Sequence, residues 1–454
     1  MSSDSVNADW QRRDLFKFIR YTMYVGGMYP LHYTRANKPG IITQLLAIID
    51  WFYEKFSYFV SIHLLVLYIC TTAMTYSSGN ADLEGFVSCF MQTLIFTWTI
   101  AMQIYFRRVR PKLLNEIIEY INSKYQTRSA IGFSYVTMEG ANKYSNIWMK
   151  TFCYCCYIGT IFWLVLPIAY GDKSLPLSCW YPFDYKQPVV YEIVFFLQSM
   201  GQITVAAAFA SSSGFYMVLS ILILGQYDVL FCTLKNVIAT TYVEMGASMG
   251  ELSNLQAAQS VTNAELGQYS YCVEEQTPLD QLLAMRHSRS CDFPTAFKRC
   301  FKRCLKQHRY ILVALEKMEL FFNQIWFFKI FERTLLMCLV GFVCVKSNTT
   351  NSVMRTASLG QYLLLIFYEL FIICYFAELL YQNSQRCGDA LWRSPWHLHL
   401  LDIRSDYNFF MLNSKRQFQL SAGKMYYINV DRFRRTITMA FSFLTLLQKM
   451  DARN

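Results

Sequence analysis

The residues whose types and spacing could do chemistry are few in this chain, and they point away from catalysis. Six histidines (His32, His63, His287, His308, His397 and His399) include no H-E-x-x-H pair. No nucleophile elbow or phosphate-cradling glycine loop occurs either. The fifteen cysteines are scattered. Cys153 and Cys156 have C-x-x-C spacing, but they sit in an apolar run with no second pair or histidine nearby, so they read as small apolar residues and not as zinc ligands. An odd cysteine total leaves open whether Cys89 and Cys179 pair. No catalytic residue, metal site or cofactor is therefore expected.

Two polar features remain. Glu369 falls near the middle of an apolar run and must find a partner, a proton or water. It suits a gating or ligand-facing role, and equally a structural hydrogen bond to a neighbouring helix. The second feature is the last stretch, Ser421 to Leu447. Its continuous apolar-plus-hydroxyl part, Thr436 to Leu447, is too short to cross ~30 Å of hydrocarbon at ~1.5 Å per residue. Thr438, Ser442, Thr445 and Lys449 lie four, three and four residues apart, which makes one polar stripe on a helix. Such a stripe suits a water-filled pathway. It also suits an ordinary packing helix whose hydroxyls bond back to its own carbonyls.

The elements that must position these residues are membrane helices. The chain is 54% hydrophobic, 17% aromatic and only 16% charged, against ~25% charged in soluble domains. An all-α polytopic membrane protein follows. The apolar runs are 56–76, 86–106, 147–170, 191–224, 325–345, 362–381 and the compromised C-terminal one, so seven transmembrane helices are expected. The first forty residues show no apolar core or cleavage site of a signal peptide. Lys and Arg number seven, seven, ten and five in 1–55, 107–146, 225–320 and 382–423, or 29 in all. The alternate segments 77–85, 171–190, 346–361 and 448–454 hold none, two, two and two, or 6 in all. That asymmetry puts the N terminus inside and the C terminus outside. Most of the +11 net charge then faces anionic lipid on the cytosolic side, and no nucleic acid is implied.

The resulting organisation is a cytosolic segment 1–55, transmembrane helices 1–4 over 56–224, and a cytosolic loop with a helical anchor over 225–324. Helices 5–6 follow over 325–381, then a cytosolic segment 382–423, a seventh helix over 424–447 and an extracellular tail 448–454. Within the long loop, Thr240 to Ser290 are polar and aperiodic, and little regular structure is expected there. After Pro294 a basic helix leaves Phe297, Phe301, Leu305 and Ile311 on one apolar side. It fits a calmodulin-type or lipid-surface helix, or a fifth helix that runs on into the cytosol and packs against its neighbours. Lys329, Glu332 and Arg333 read as charges that snorkel or pair near the boundary. Asn348, in N-T-T, is a candidate glycan acceptor on the outer face.

An inside N terminus inverts the topology of a G-protein-coupled receptor. With Pro167 alone among ten prolines inside a span, the kinked later helices of that class are missing too. A secondary transporter lacks support: there are only 19 glycines and no repeat or broken pair of spans.

Three motifs occur in order. They are Trp180-Tyr181-Pro182-Phe183-Asp184 in the second outer loop, Gly225-Gln226-Tyr227-Asp228-Val229-Leu230 at the end of the fourth span, and Phe441-Ser442-Phe443-Leu444-Thr445-Leu446-Leu447 at the C terminus. With them the chain, from about Trp51 to Gln448, resembles the insect odorant receptors, and specifically their ligand-tuning subunits. The resemblance implies a ligand-gated, non-selective cation channel, tetrameric with the odorant co-receptor, in the plasma membrane of an olfactory neuron dendrite. The seventh helix would line the pore through Thr438, Ser442, Thr445 and Gln448. The resemblance also implies an apolar odorant pocket in the outer half of the second, third, fourth and sixth helices. Phe90, Met91 and Leu94 would supply the second helix's part and Cys156, Gly159 and Trp163 the third's. Phe196, Met200 and Ile203 would come from the fourth, and Leu365 and Tyr368 from the sixth. A Met- and aromatic-lined cavity selects by shape and dispersion, so a small volatile odorant is the implied ligand. The double arginine Arg434-Arg435 and the long second inner loop depart from the family pattern. A metabotropic seven-helix chemoreceptor or a secondary transporter is the alternative.

Overall fold

Long runs free of helix breakers form long helices, and the computed structural model of the protein is built almost entirely from them. It describes residues 14–30, 41–77, 83–170, 175–177, 179–262, 269–285, 292–347, 353–415 and 417–451. In chain order the first elements are α1 (Lys17–Val25), α2 (Ile41–Ser77), α3 (Leu83–Ile104, running into a π-helical turn Tyr105–Val109), α4 (Pro111–Lys124) and α5 (Glu139–Tyr170). Next come α6 (Val190–Lys235), α7 (Val237–Met245), α8 (Met249–Thr262) and α9 (Leu279–Ala284). The C-terminal part holds α10 (Phe293–Ser347), α11 (Val353–Gln385), α12 (Cys387–Trp392), α13 (Leu400–Ser414) and α14 (Val430–Asp451). Two antiparallel ribbons complete the fold: Ser134–Val136 with Glu274–Gln276, and Ser421–Ala422 with Tyr426–Tyr427.

The mast of the bundle is α6. Every residue from 210 to 241 is buried, as a helix apolar on all sides must be. Several of its hydroxyls bond within the helix: that of Ser211 donates to the Ala207 carbonyl at 2.6 Å and that of Ser220 to the Tyr216 carbonyl at 2.8 Å. α1, α2, α3, α5, α10 and α11 all pack on it. The Gly225–Leu230 motif shows why its residues are there. A Cβ at Gly225 would lie 2.5 Å from that of Ala141 on α5. The Gln226 amide clamps the backbone of Gln126 at 3.1 and 2.6 Å. The Asp228 carboxylate accepts the N–H groups of Ser270, Tyr271 and Cys272 at 2.9, 2.8 and 3.1 Å.

One expectation changes here, and of two alternatives one is met. The 240–290 segment is not featureless: α7 and α8 form within it, and Asp228 together with the β ribbon fixes its second part. Tertiary partners supply what periodicity did not. The basic stretch after Pro294 is one continuous helix with the fifth apolar run. Its apolar side is already covered, with Phe297 and Phe301 at 1% and 2% exposure, so no free target face remains for a calmodulin-like partner.

Five helices among the described residues are long and apolar enough to cross a membrane: Gln44–Ser77, Gly85–Val109, Glu139–Val165, Val190–Lys235 and Leu359–Trp392. The 325–345 run carries Lys329, Glu332 and Arg333, and α14 carries four charges in its first turns, so neither passes on apolarity. α14 starts at Val430, later than the expected 424, because the Tyr426–Tyr427 ribbon precedes it and the Asn429 side chain accepts the Arg432 N–H at 2.8 Å. It extends to Asp451, through most of what reads as the tail.

Candidate functional site

A cavity of about 100 Å³ lies between α3, α5, α6, α10 and α11. At roughly 10–15 Å³ per water on this measure it has room for on the order of seven to ten water-sized groups. Of the residues expected there, Met91, Cys156, Gly159, Trp163 and Leu365 line it. The other six do not. Phe90 stacks on Phe86 at 6.2 Å, and Leu94 packs half-buried against the core. Tyr368 is held between Trp148 and Phe152, at 6.5 and 6.1 Å. Phe196 is 55% exposed, Met200 joins a separate apolar cluster with α2, and Ile203 is half-buried away from the cavity. The reason is helical phase. α6 presents Gln202, Val205, Phe209 and Ser212 to the cavity, a face roughly 170° round the helix, at ~100° per residue, from the one carrying Phe196, Met200 and Ile203.

The lining is less apolar than expected. Ile95, Trp98, Met102, Phe209 and Leu359 supply apolar wall, while Gln92, Gln202, Gln361, Thr99, Thr160 and Tyr362 bring polar groups. Gly159 opens space that another residue fills: a Cβ there would lie 2.3 Å from Nε2 of Gln361.

Glu332 and Arg333 of α10 also line the cavity, and no sequence signal beyond their charge assigned them there. They belong to a buried ionic cluster. Lys329 Nζ lies 2.6 Å and Arg333 Nε 2.7 Å from the two carboxylate oxygens of Glu369. Glu332 lies 3.3 Å from Arg333, and Ser213 donates to Glu369. Lys329 also donates to Ser213 at 2.7 Å, and the Arg333 guanidinium sits 4.8 Å from the Phe209 ring centre. Burial of this depth is tolerated only because opposite charges and hydroxyls meet there. Glu369 therefore has its partners, and little more than one turn of α10 carries them. A Lys-x-x-Glu-Arg spacing one helix away from a lone carboxylate was the readable hint.

The C-terminal stripe lies elsewhere. Thr436 and Ala440 of α14 are buried, and Phe433 packs edge-on against Phe371 of α11 at 5.6 Å. Thr438, Ser442, Thr445 and Gln448 are exposed. The three hydroxyls donate to the carbonyls of Arg434, Thr438 and Ser442 at 3.1, 2.9 and 2.8 Å. Back-bonding and an open polar face thus coexist. Around them Met439, Phe441, Phe443, Leu446 and Met450 are exposed as well.

Near the start of α6, Gln198 bonds Leu177 in both directions at 3.0 and 3.1 Å and donates to the Tyr181 hydroxyl at 3.1 Å, which seats the W-Y-P-F-D loop on α6. Cys179 carries a thiol hydrogen-bonded with Tyr68. His399 stacks on Phe293 at 3.7 Å and bonds Tyr242 at 2.9 Å, a structural setting. Among the described residues no His, Cys, Asp and Glu cluster could hold a metal ion. Asn348 lies outside the described residues.

A model of the 7tm odorant receptor family matches residues 136–441. Odorant receptor 83a of Drosophila melanogaster is 62% identical over 450 residues, covering 99% of this chain and 98% of that protein. Putative odorant receptor 85e of the same fly is 34% identical over 441 residues, with 97% and 93% covered. The solved structure of the insect olfactory receptor OR5 from Machilis hrabei is similar at TM-score 0.69 and 14% identity, covering 95% of this chain and 97% of that one. Its complex with eugenol is similar at 0.68 and 14%, with 99% and 100% covered.

Proposed function

The chain belongs to the insect odorant receptor family, and from that premise we propose that it is the odorant-binding subunit of a ligand-gated, non-selective cation channel. The observation that carries the reading is the cavity beside Trp163, two of whose enclosing helices, α10 and α11, also position α14. An odorant seated there favours an open arrangement only by binding it more tightly than the closed one. The ionic cluster joins α10 to α11 at the cavity's edge, and α14 packs on both of those helices. A ligand that shifts α10 against α11 therefore moves the pore helix.

Thr438, Ser442, Thr445 and Gln448 line the pore in this reading. An amphipathic helix with an exposed hydroxyl face beside exposed aromatics has its place among copies of itself, in a tetramer completed by the odorant co-receptor. The Lys and Arg asymmetry supports seven spans, a cytosolic N terminus, a cytosolic anchor formed by the 225–324 and 382–423 segments, and an extracellular C terminus. The location is the plasma membrane, in an olfactory neuron dendrite.

The test is whole-cell recording from cells expressing the chain with and without an insect odorant co-receptor, under a panel of volatiles. Odorant-evoked cation current in the co-expressing cells is expected, with Trp163→Ala lowering sensitivity and Thr445→Trp altering conductance. Unchanged conductance and permeability in Thr445→Trp would remove the pore assignment. Silence with verified surface expression, across a panel that binds the purified chain, would remove the channel.

A further inference from the structure

We infer that the cavity selects a small, neutral molecule carrying one hydrogen-bonding oxygen, a carbonyl or hydroxyl, on a compact apolar skeleton. This rests on the reading of the cavity as the odorant pocket and narrows it to a chemical class.

Most polar groups around the cavity are already committed. The Thr99 hydroxyl donates to the Ile95 carbonyl at 2.9 Å and that of Thr160 to Cys156 at 3.1 Å. Tyr362 is bonded to Arg333. The ionic cluster is neutral as a whole, with Lys329 and Arg333 against Glu332 and Glu369 giving two charges of each sign, although Oε2 of Glu332 has no hydrogen-bond partner among the described residues. An ion entering the cavity would meet no net countercharge and would lose its hydration.

Three carboxamides are left. Gln92 on α3, Gln202 on α6 and Gln361 on α11 all line the cavity, and among the described residues none of their side-chain amides has a hydrogen-bond partner. A carboxamide offers donors and an acceptor without charge. Three of them facing one space match a neutral ligand oxygen and are left unsatisfied by a hydrocarbon. Trp98, Trp163 and Phe209 supply flat apolar wall for the remainder of the molecule. Gly159 matters through Gln361. Its missing Cβ is what leaves room for that amide, 2.3 Å from Nε2 and 3.0 Å from Cδ. The far end of a flexible side chain can move, so Gly159→Ala displaces the amide without disturbing the backbone.

Five probes of one skeleton test this: ethylbenzene, acetophenone, 1-phenylethanol, benzoate and 1-phenylethylammonium. The readout is the rise in the unfolding midpoint of the full chain, purified in detergent, as each probe is titrated. Acetophenone and 1-phenylethanol should half-saturate at concentrations on the order of fivefold below the other three, the effect of about one net hydrogen bond. Gln361→Met should erase that preference, so that acetophenone and ethylbenzene half-saturate together. Gly159→Ala should do the same, and it carries the test if Gln361→Met does not fold. Ethylbenzene as tight as acetophenone, an ion as the tightest probe, or a preference that survives in both variants overturns the inference while the pocket stands. No response to any of the five overturns both.

Discussion

Glu369 is the residue where sequence and structure meet most directly. A lone carboxylate in an apolar run demands compensation, and here two cations and a hydroxyl supply it. Removing it strands Lys329 and Arg333, both 2% exposed or less. Glu369→Ala is therefore expected to destabilise the folded chain by about 3–5 kcal/mol. The double change Glu369→Leu with Lys329→Met should recover a large part of that, since it removes a charge of each sign. Thermal unfolding of the two variants in detergent checks this, and equal losses would mean that the cluster is not an energetic unit.

At the scale of elements, the end of the bundle around Asp228 is held by side chains that grip backbone. Asp228 on α6 accepts three successive N–H groups of the 270–272 segment. Asp228→Ala is expected to leave those donors unsatisfied, at roughly 1–3 kcal/mol for the group most deeply buried. Amide exchange at Ser270, Tyr271 and Cys272 should rise well before that of α6. The anchor helix also carries a pH dependence. His308 packs beneath Phe410 at 5.8 Å, and its burial lowers the imidazole pKa below its ordinary value. As pH falls, the unfolded chain takes up that proton first. The stabilisation is complete above about pH 6.5 and declines as pH drops through that value toward the folded pKa. The unfolding midpoint should fall on acidification from pH 7 to 5, and less steeply in His308→Gln.

For the whole molecule, α6 is buried on all sides from residue 210 to its end, while α14 is covered on one side only. One helix is finished within a single chain and the other is not. The proposed assembly makes α14 an interior element, and the charge asymmetry orients it. A peptide tag placed before Met1 should be invisible to antibody on intact cells, and one placed after Asn454 should be accessible. The reverse pattern would invert the topology and remove the outward-facing pore mouth.

The sequence by itself determined the membrane and the helices, because apolar runs act locally and additively along the chain. It carried the family as well, through three short motifs whose partners explain them: Gln226 on Gln126, Tyr181 under Gln198, and α14 as a short amphipathic helix. Only the tertiary structure decided which face of α6 meets the cavity, since turning that helix about halfway round exchanges the Phe196, Met200 and Ile203 face for the one carrying Gln202 and Phe209. Only it brought Lys329 and Arg333 to Glu369, and Gln361 over Gly159. Those meetings join helices distant in sequence, and helix phase is fixed by packing against neighbours, which no single stretch of chain contains.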